Sequence, residues 1–160
     1  MKGVDLGSGA GIPGLVLAMD LPASTWTLLD ANTTRTAFLV TAVQALGLAD
    51  RVQVVTGRAE VVGRSSEHRG RYQVVVARAF ARPAVVAECA APLLSLEGEV
   101  VVSEPPEPAD RWLEEGLTEL GLRLVTVDPG PPRIATLRQD RLCPGRFPRR
   151  VGVPSKRPLW

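Results

Sequence analysis

The chain has 160 residues, 45% of them apolar and 22% charged, with a net charge of +2. This size and balance support one globular domain with a real core and exclude a disordered chain. Apolar runs such as YQVVVA (72–77) and EVVVS (99–103) are far shorter than the ~20 residues of a membrane helix, so no membrane association is expected.

The N-terminus lacks the basic-then-apolar order of a secretory signal, and the expected compartment is the cytoplasm. Cys89 and Cys143 lie far apart, His68 is the single histidine, and no CxxC occurs, so no metal site is expected. Cys89 falls in an apolar helical pattern and reads as core. His68, in SSEHRGR, reads as a solvated loop residue. Charge is uneven: residues 138–160 hold seven basic groups and one acid, a local +6, which leaves −4 over residues 1–137. A basic tail on a mildly acidic body suggests an anionic partner near the C-terminus.

In chain order, GVDLG (3–7) predicts a short buried strand and GLVLAMD (14–20) a helix after it. TWTLLD (25–30) predicts a second strand ending in an acid. Residues 32–48 give the clearest helix. Phe38, Leu39, Ala42, Val43 and Leu46 recur at helical spacing, Asn32 suits the start and Gly47 the end. RVQVVTG (51–57) predicts a third strand, residues 58–63 a short helix, and 64–71 a polar loop. The fourth strand, 72–79, is almost wholly apolar, as a strand covered on both faces should be. A helix over 82–94 has Pro83 in its first turn. A fifth strand (97–104), a helix (109–121) and two strands (122–128 and 133–142) joined by PGPP complete the pattern. The alternation predicts an α/β fold: a doubly wound, mostly parallel sheet ending in an antiparallel hairpin. Residues 1–142 read as one domain, and 143–160 as a Pro- and Arg-rich tail packed on or near it.

The first strand runs into VDLGSGAGIPG (4–14). In a doubly wound sheet, ligands bind at the carboxyl ends of the strands, where the strand order reverses. Glycines there let the backbone turn and let a ligand approach, and the next helix offers N–H groups to an anion. Gly9, Gly11 and Gly14 match the dinucleotide pattern G-x-G-x-x-G, so an NAD(P)-dependent oxidoreductase is one reading. Asp5, directly before the loop, would repel a pyrophosphate and attract an ammonium group. Read as Asp5-x-Gly7-Ser8-Gly9-x-Gly11, the stretch resembles the first motif of class I S-adenosylmethionine (SAM) methyltransferases. SAM carries both a carboxylate and an ammonium. Asp30 is placed to accept from ribose hydroxyls under either reading. Glu60, in GRAE (57–60), reads either as the acceptor for the adenine amine or as a first-turn helix acid.

A more specific resemblance spans almost the whole chain. DLGSGAGIPGL (5–15), RTAFLVTAVQALGL (35–48), GRAE (57–60), ARAF (77–80) and RFPRRVGVPSKRPL (146–159) are together similar to the RsmG (GidB) family. That family methylates N7 of a guanine in small-subunit ribosomal RNA. The resemblance implies that Gly7, Ile12, Ala59, Glu60 and Arg78 contact SAM, and that Asp30 is the acid of the second strand. Arg78 ends an otherwise apolar strand, so it reads as a partner for the SAM carboxylate or an RNA phosphate, or else as a strand-end ion pair. Phe80 reads as a stacking partner for a flipped base or as core. Arg146, Arg149, Arg150, Lys156 and Arg157 read as RNA contacts or as a solvated tail.

Two departures stand out. The family normally carries an N-terminal helical segment before the first strand, and this chain starts at the strand. It therefore reads as a short variant, in which a partner or second subunit would cover the site. The family's lysine–glycine pair after the fifth strand is replaced by SEPPEP (103–108). The expected function is SAM-dependent methylation of rRNA without a general base. A small-molecule or protein acceptor is the alternative.

Overall fold

The fold is a computed structural model that describes residues 1–107 and 110–160. Seven strands form one sheet: β1 (Lys2–Leu6), β2 (Thr25–Asp30), β3 (Val52–Thr56), β4 (Tyr72–Ala77), β5 (Leu94–Ser103), β6 (Leu122–Asp128) and β7 (Ile134–Gln139). Their order is β3-β2-β1-β4-β5-β7-β6. The pairs from β3 through β5 are parallel, and β7 inserts antiparallel to both β5 and β6. The order reverses between β1 and β4, which creates the switch point that the alternating pattern demands.

The helices are α1 (Gly14–Asp20), α2 (Thr33–Ala45), α3 (Ala59–Val62), α4 (Pro83–Ala90), α5 (Glu114–Leu120) and α6 (Val153–Lys156). The sheet separates two apolar layers, because successive strand residues point to opposite faces. Leu28 and Val76 pack with Trp26, Leu39 and Val43 under α1 and α2. Leu29 and Val75 pack on the other face with Leu6, Leu93, Leu117 and Phe147.

The expected caps of α2 are present. Asn32 Oδ1 accepts from the Arg35 amide at 3.0 Å, and Gly47 follows the helix in the left-handed region at φ +66°. The helix turns Thr36, Leu39 and Val43 to the sheet. Phe38 and Leu46, expected on the apolar stripe, face outward. Apolar residues surround this helix, and spacing alone does not select the stripe that docks.

Three other expectations change. The helix expected over 109–121 begins at Glu114. Ala109 lies outside the described residues, and Trp112 sits 5% exposed in the core ahead of the helix. β5 starts at Leu94, three residues earlier than expected. His68 is buried, not solvated: its Nδ1 lies 2.6 Å from the Tyr72 hydroxyl, which donates to Thr27 Oγ1 at 3.1 Å.

Residues 143–160 fold back over the body. Arg69 donates to the carbonyls of Cys143 (2.9 Å), Pro144 (3.0 Å) and Phe147 (2.7 Å). The Trp160 indole donates to the Arg111 carbonyl at 3.0 Å, and its ring packs on Gly116. Glu88, with a fully buried side chain, accepts from Arg149 Nε at 2.9 Å and Nη2 at 2.7 Å, and from the Arg149 amide at 2.8 Å. Removing one partner of such a pair strands a buried charge. Arg149→Met is expected to lower unfolding stability by about 3–5 kcal/mol. Glu88→Gln/Arg149→Met together should lose clearly less, and urea denaturation of the three proteins checks both.

Candidate active site

Asp5 closes β1 and lies 1% exposed behind the glycine loop. Its Oδ2 accepts from the Gly14 amide at 3.0 Å, and Ser8 Oγ donates to the Asp5 carbonyl at 2.9 Å. The carboxylate thus ties the end of β1 to the start of α1. Gly7 and Gly9 have φ of +75° and +55°, a region that L side chains rarely adopt. A Cβ at Gly7 would also come within 2.5 Å of Phe80 Cδ2. Gly11, at φ +90°, faces Leu15 so closely that a Cβ would collide with it. The loop therefore bends around Asp5, with the Gly7 and Ser8 amides held by the Leu29 carbonyl (2.8 and 3.0 Å) and the Gly11 amide by the Ser8 carbonyl (2.7 Å).

Asp30 ends β2, 6% exposed. Its Oδ2 accepts from the Gly9 amide at 2.9 Å and its Oδ1 from the Asn32 amide at 2.8 Å. Arg35 Nη1 lies 3.7 Å away. One carboxylate thus holds the loop and the entry to α2 together.

Two hollows open at these strand ends, and Gly7 lines both. The first, about 490 Å³ and open, is lined by Gly7, Ser8, Gly9, Ile12, Arg35 and Arg78. The second, about 230 Å³, is bounded by Gly7, Asp30, Ala59, Glu60, Phe80 and Ser155, among others. The sequence-derived candidates Gly7, Ser8, Gly9, Ile12, Asp30, Ala59, Glu60, Arg78 and Phe80 therefore share one crevice. Asp5 and Gly11 stand behind it and shape the loop.

Arg78 is exposed and, among the described residues, pairs with no acid, although its charge reaches Asp5. Ala79 follows at φ +52°, a non-glycine residue held left-handed at the crevice. Glu60 is 5% exposed. Its Oε1 accepts from the Gly152 amide at 2.9 Å and lies 3.5 Å from Arg58.

The basic tail divides. Arg149 is held by Glu88, and Arg146 pairs with Glu119 at 3.1 Å over the Phe147 ring, so neither is an unengaged cation. Arg150, Lys156 and Arg157 are exposed and, among the described residues, without an acidic partner. Sequence reasoning missed Arg35 and Ser155. Arg35 had a signal, because the Asn32 cap places it in the first turn after the β2 acid. Ser155 had none, since only the fold of the tail brings it to the pocket. A groove of about 580 Å³ between α5 and β6 contains none of the candidates. No metal-binding cluster occurs among the described residues, and no described helix is long and apolar enough to cross a membrane.

The strand order, the glycine loop at the switch point and the acid ending β2 define a class I methyltransferase fold. Solved structures agree. The antibiotic-resistance methyltransferase Kmr superposes with a TM-score of 0.68 at 16% identity, covering 86% of this chain and 85% of that one. A SAM-dependent methyltransferase from Aquifex aeolicus gives 0.65 at 15% identity, covering 86% and 80%.

Sequence comparison is more specific. The GidB family, described as rRNA small subunit methyltransferase G, matches residues 1–116. Ribosomal RNA small subunit methyltransferase G from Synechococcus sp. (strain RCC307) is 36% identical over 99% of this chain and 71% of its own length. The protein of the same name from Deinococcus radiodurans is 40% identical over 99% and 66%. The chain belongs to the GidB family, and it spans about two thirds of the length of these relatives.

Burial pushes the Asp5 carboxyl up to about 6, against the Gly14 hydrogen bond, the nearby Ser8 hydroxyl and the Arg78 charge, which favour its ionised form. The folded state thus holds this proton more tightly than the unfolded chain. The associated stabilisation is complete below about pH 4 and is lost as the pH rises through about 6, an effect of about 3 kcal/mol. Asp5→Asn should flatten that part of the stability–pH curve, as measured by chemical denaturation between pH 4 and 7. Gly7→Ala should abolish SAM binding in calorimetry, because the new methyl meets Phe80 in a strained backbone.

Proposed function

We propose that this chain transfers the methyl group of SAM to N7 of a guanine in small-subunit ribosomal RNA. The observation that carries this reading is membership of the GidB family, whose match over residues 1–116 includes every crevice residue named above except Ser155. We further propose that residues 1–142 form the SAM-binding domain, with 143–160 as a tail folded onto it, and that the protein works in the cytoplasm.

The crevice fits the cofactor on its own chemistry. The guanidinium groups of Arg35 and Arg78 suit a carboxylate in the open hollow. Asp30 borders the inner hollow with lone pairs left for ribose hydroxyls, and Ala59 and Glu60 flank the adenine end. The Asp5 carboxylate adds negative potential behind the loop, where an ammonium would lie. When bound, SAM supplies a methyl on a sulfonium, which is already a good leaving group.

Guanine N7 attacks with a lone pair and has no proton to lose. As the new N–C bond forms, the S–C bond breaks, and the positive charge passes from sulfur to the purine. The chain needs to align the two groups and exclude water, with no general base. Asp30 and Glu60 line the crevice, and each already accepts a backbone amide. The one thiol of the crevice, Cys89, is buried and pushed far above the usual range, and His68 belongs to the Tyr72 and Thr27 network. Arg150, Lys156 and Arg157 are the tail cations left for RNA phosphates.

Labelled SAM offered with unmethylated small subunits, naked rRNA and a small-molecule extract tests the reading. Label at guanine N7 of the rRNA is expected. Label only in the small-molecule fraction overturns the acceptor, and binding of NAD in place of SAM overturns the cofactor. Asp30→Ala should weaken SAM binding by about 10- to 100-fold, since a charged acceptor of two hydrogen bonds is lost. Neutralising Arg150, Lys156 and Arg157 should weaken RNA binding and reduce its log–log salt slope by about 2–3, as read by filter binding across a salt series.

A further inference from the structure

A third hollow adjoins the crevice at the ends of β4 and β5. It measures about 260 Å³ and is lined by Ala79, Phe80, Pro83, Glu104, Arg111 and Trp112, among others. Phe80 and Ala81 border both this hollow and the inner cofactor hollow. Two of its residues hold buried polar atoms without a partner among the described residues: Glu104 Oε1 and the Trp112 indole nitrogen. The Glu104 side chain is 5% exposed. Its other oxygen, Oε2, accepts from Arg111 Nη1 at 3.1 Å. Trp112 is 5% exposed. Burying an acceptor and a donor without partners is costly, and each such group calls for an explanation.

We propose that this hollow is the pocket for the acceptor guanine, and that Glu104 reads its Watson–Crick edge. This rests on the function proposed above. Guanine presents two adjacent donors, N1–H and the 2-amino group, beside the acceptor O6. A lone carboxylate oxygen answers the donors, and an indole N–H answers O6. Adenine and cytosine lack the paired donors. Phe80 and Trp112 supply aromatic walls for a flat base drawn out of its stack. Binding the base by its Watson–Crick edge leaves N7, on the neighbouring Hoogsteen edge, free to face the cofactor across Phe80. Glu104 opens the acidic, proline-rich stretch that follows β5, so the segment that replaces the family's lysine–glycine pair serves base recognition.

The test uses the full chain saturated with S-adenosylhomocysteine and titrated with GMP, IMP and AMP. IMP differs from GMP only by lacking the 2-amino group. The readout is the Trp112 indole N–H resonance, assigned with Trp112→Phe. GMP should give a saturable shift, with IMP and AMP at least 10-fold weaker. Glu104→Ala should lower GMP affinity to the IMP level while S-adenosylhomocysteine affinity is unchanged. Glu104→Gln, which keeps the shape, should give the same loss of GMP over IMP preference if the alanine variant does not fold. Equal binding of GMP and IMP, no shift at all, or an unchanged preference in the Glu104 variants overturns the pocket. Label at guanine N7 with equal GMP and IMP binding removes the pocket alone. GMP selectivity without rRNA label removes the proposed function alone.

Discussion

The crevice depends on one buried carboxylate. Asp5 stands at the end of a central strand, out of water, and its Oδ2 accepts the Gly14 amide. That bond fixes where α1 begins, so the intervening loop must close its turn over a short span, and the left-handed glycines make this possible. Asp30 repeats the device one strand away, holding the Gly9 amide and the entry to α2. Two acids from neighbouring strands therefore shape the loop from behind and from the side. The Leu29 carbonyl holds the Gly7 and Ser8 amides as well, so the loop is fixed along its length.

The second organising feature is the return of the tail. A polar loop, a core helix and a short helix each hold one point of it, through Arg69, Glu88 and Glu60. Two of these holders are acids buried beneath the tail, and each is satisfied by it. The Arg149 pair offsets the burial of Glu88 only while the tail is in place, which couples tail docking to the integrity of α4. The body and tail thus form a single packing problem, although their compositions look separate.

The strands β1 to β5 were legible because each is a short apolar run ended by glycine, an acid or a polar loop, and because β4 is apolar on both faces. The loop was legible because its glycines are spaced for positive φ. Asn32 was legible because capping is local. What escaped depends on distant partners. Arg149 looks like any other tail cation until Glu88 is placed beneath it. His68 looks solvated until Tyr72 and Thr27 reach it. Phe38 and Leu46 fit a helical stripe, yet the sheet selects Leu39 and Val43. Trp112 lies in an apparent helix and instead docks into the core before the helix starts. Glu104 and Trp112 are remote from any motif, and only the sheet brings them beside Phe80.

Ser155 forms part of the wall of the hollow that begins at Gly7. The cavity is therefore bounded by residues from the loop after β1 and from α6, far apart in the sequence. During synthesis the loop and the sheet strands leave the ribosome long before the wall that completes them. Until α6 docks, the glycine motif is present but this wall of the hollow is not, so the shape of the hollow reports whether α6 is in place.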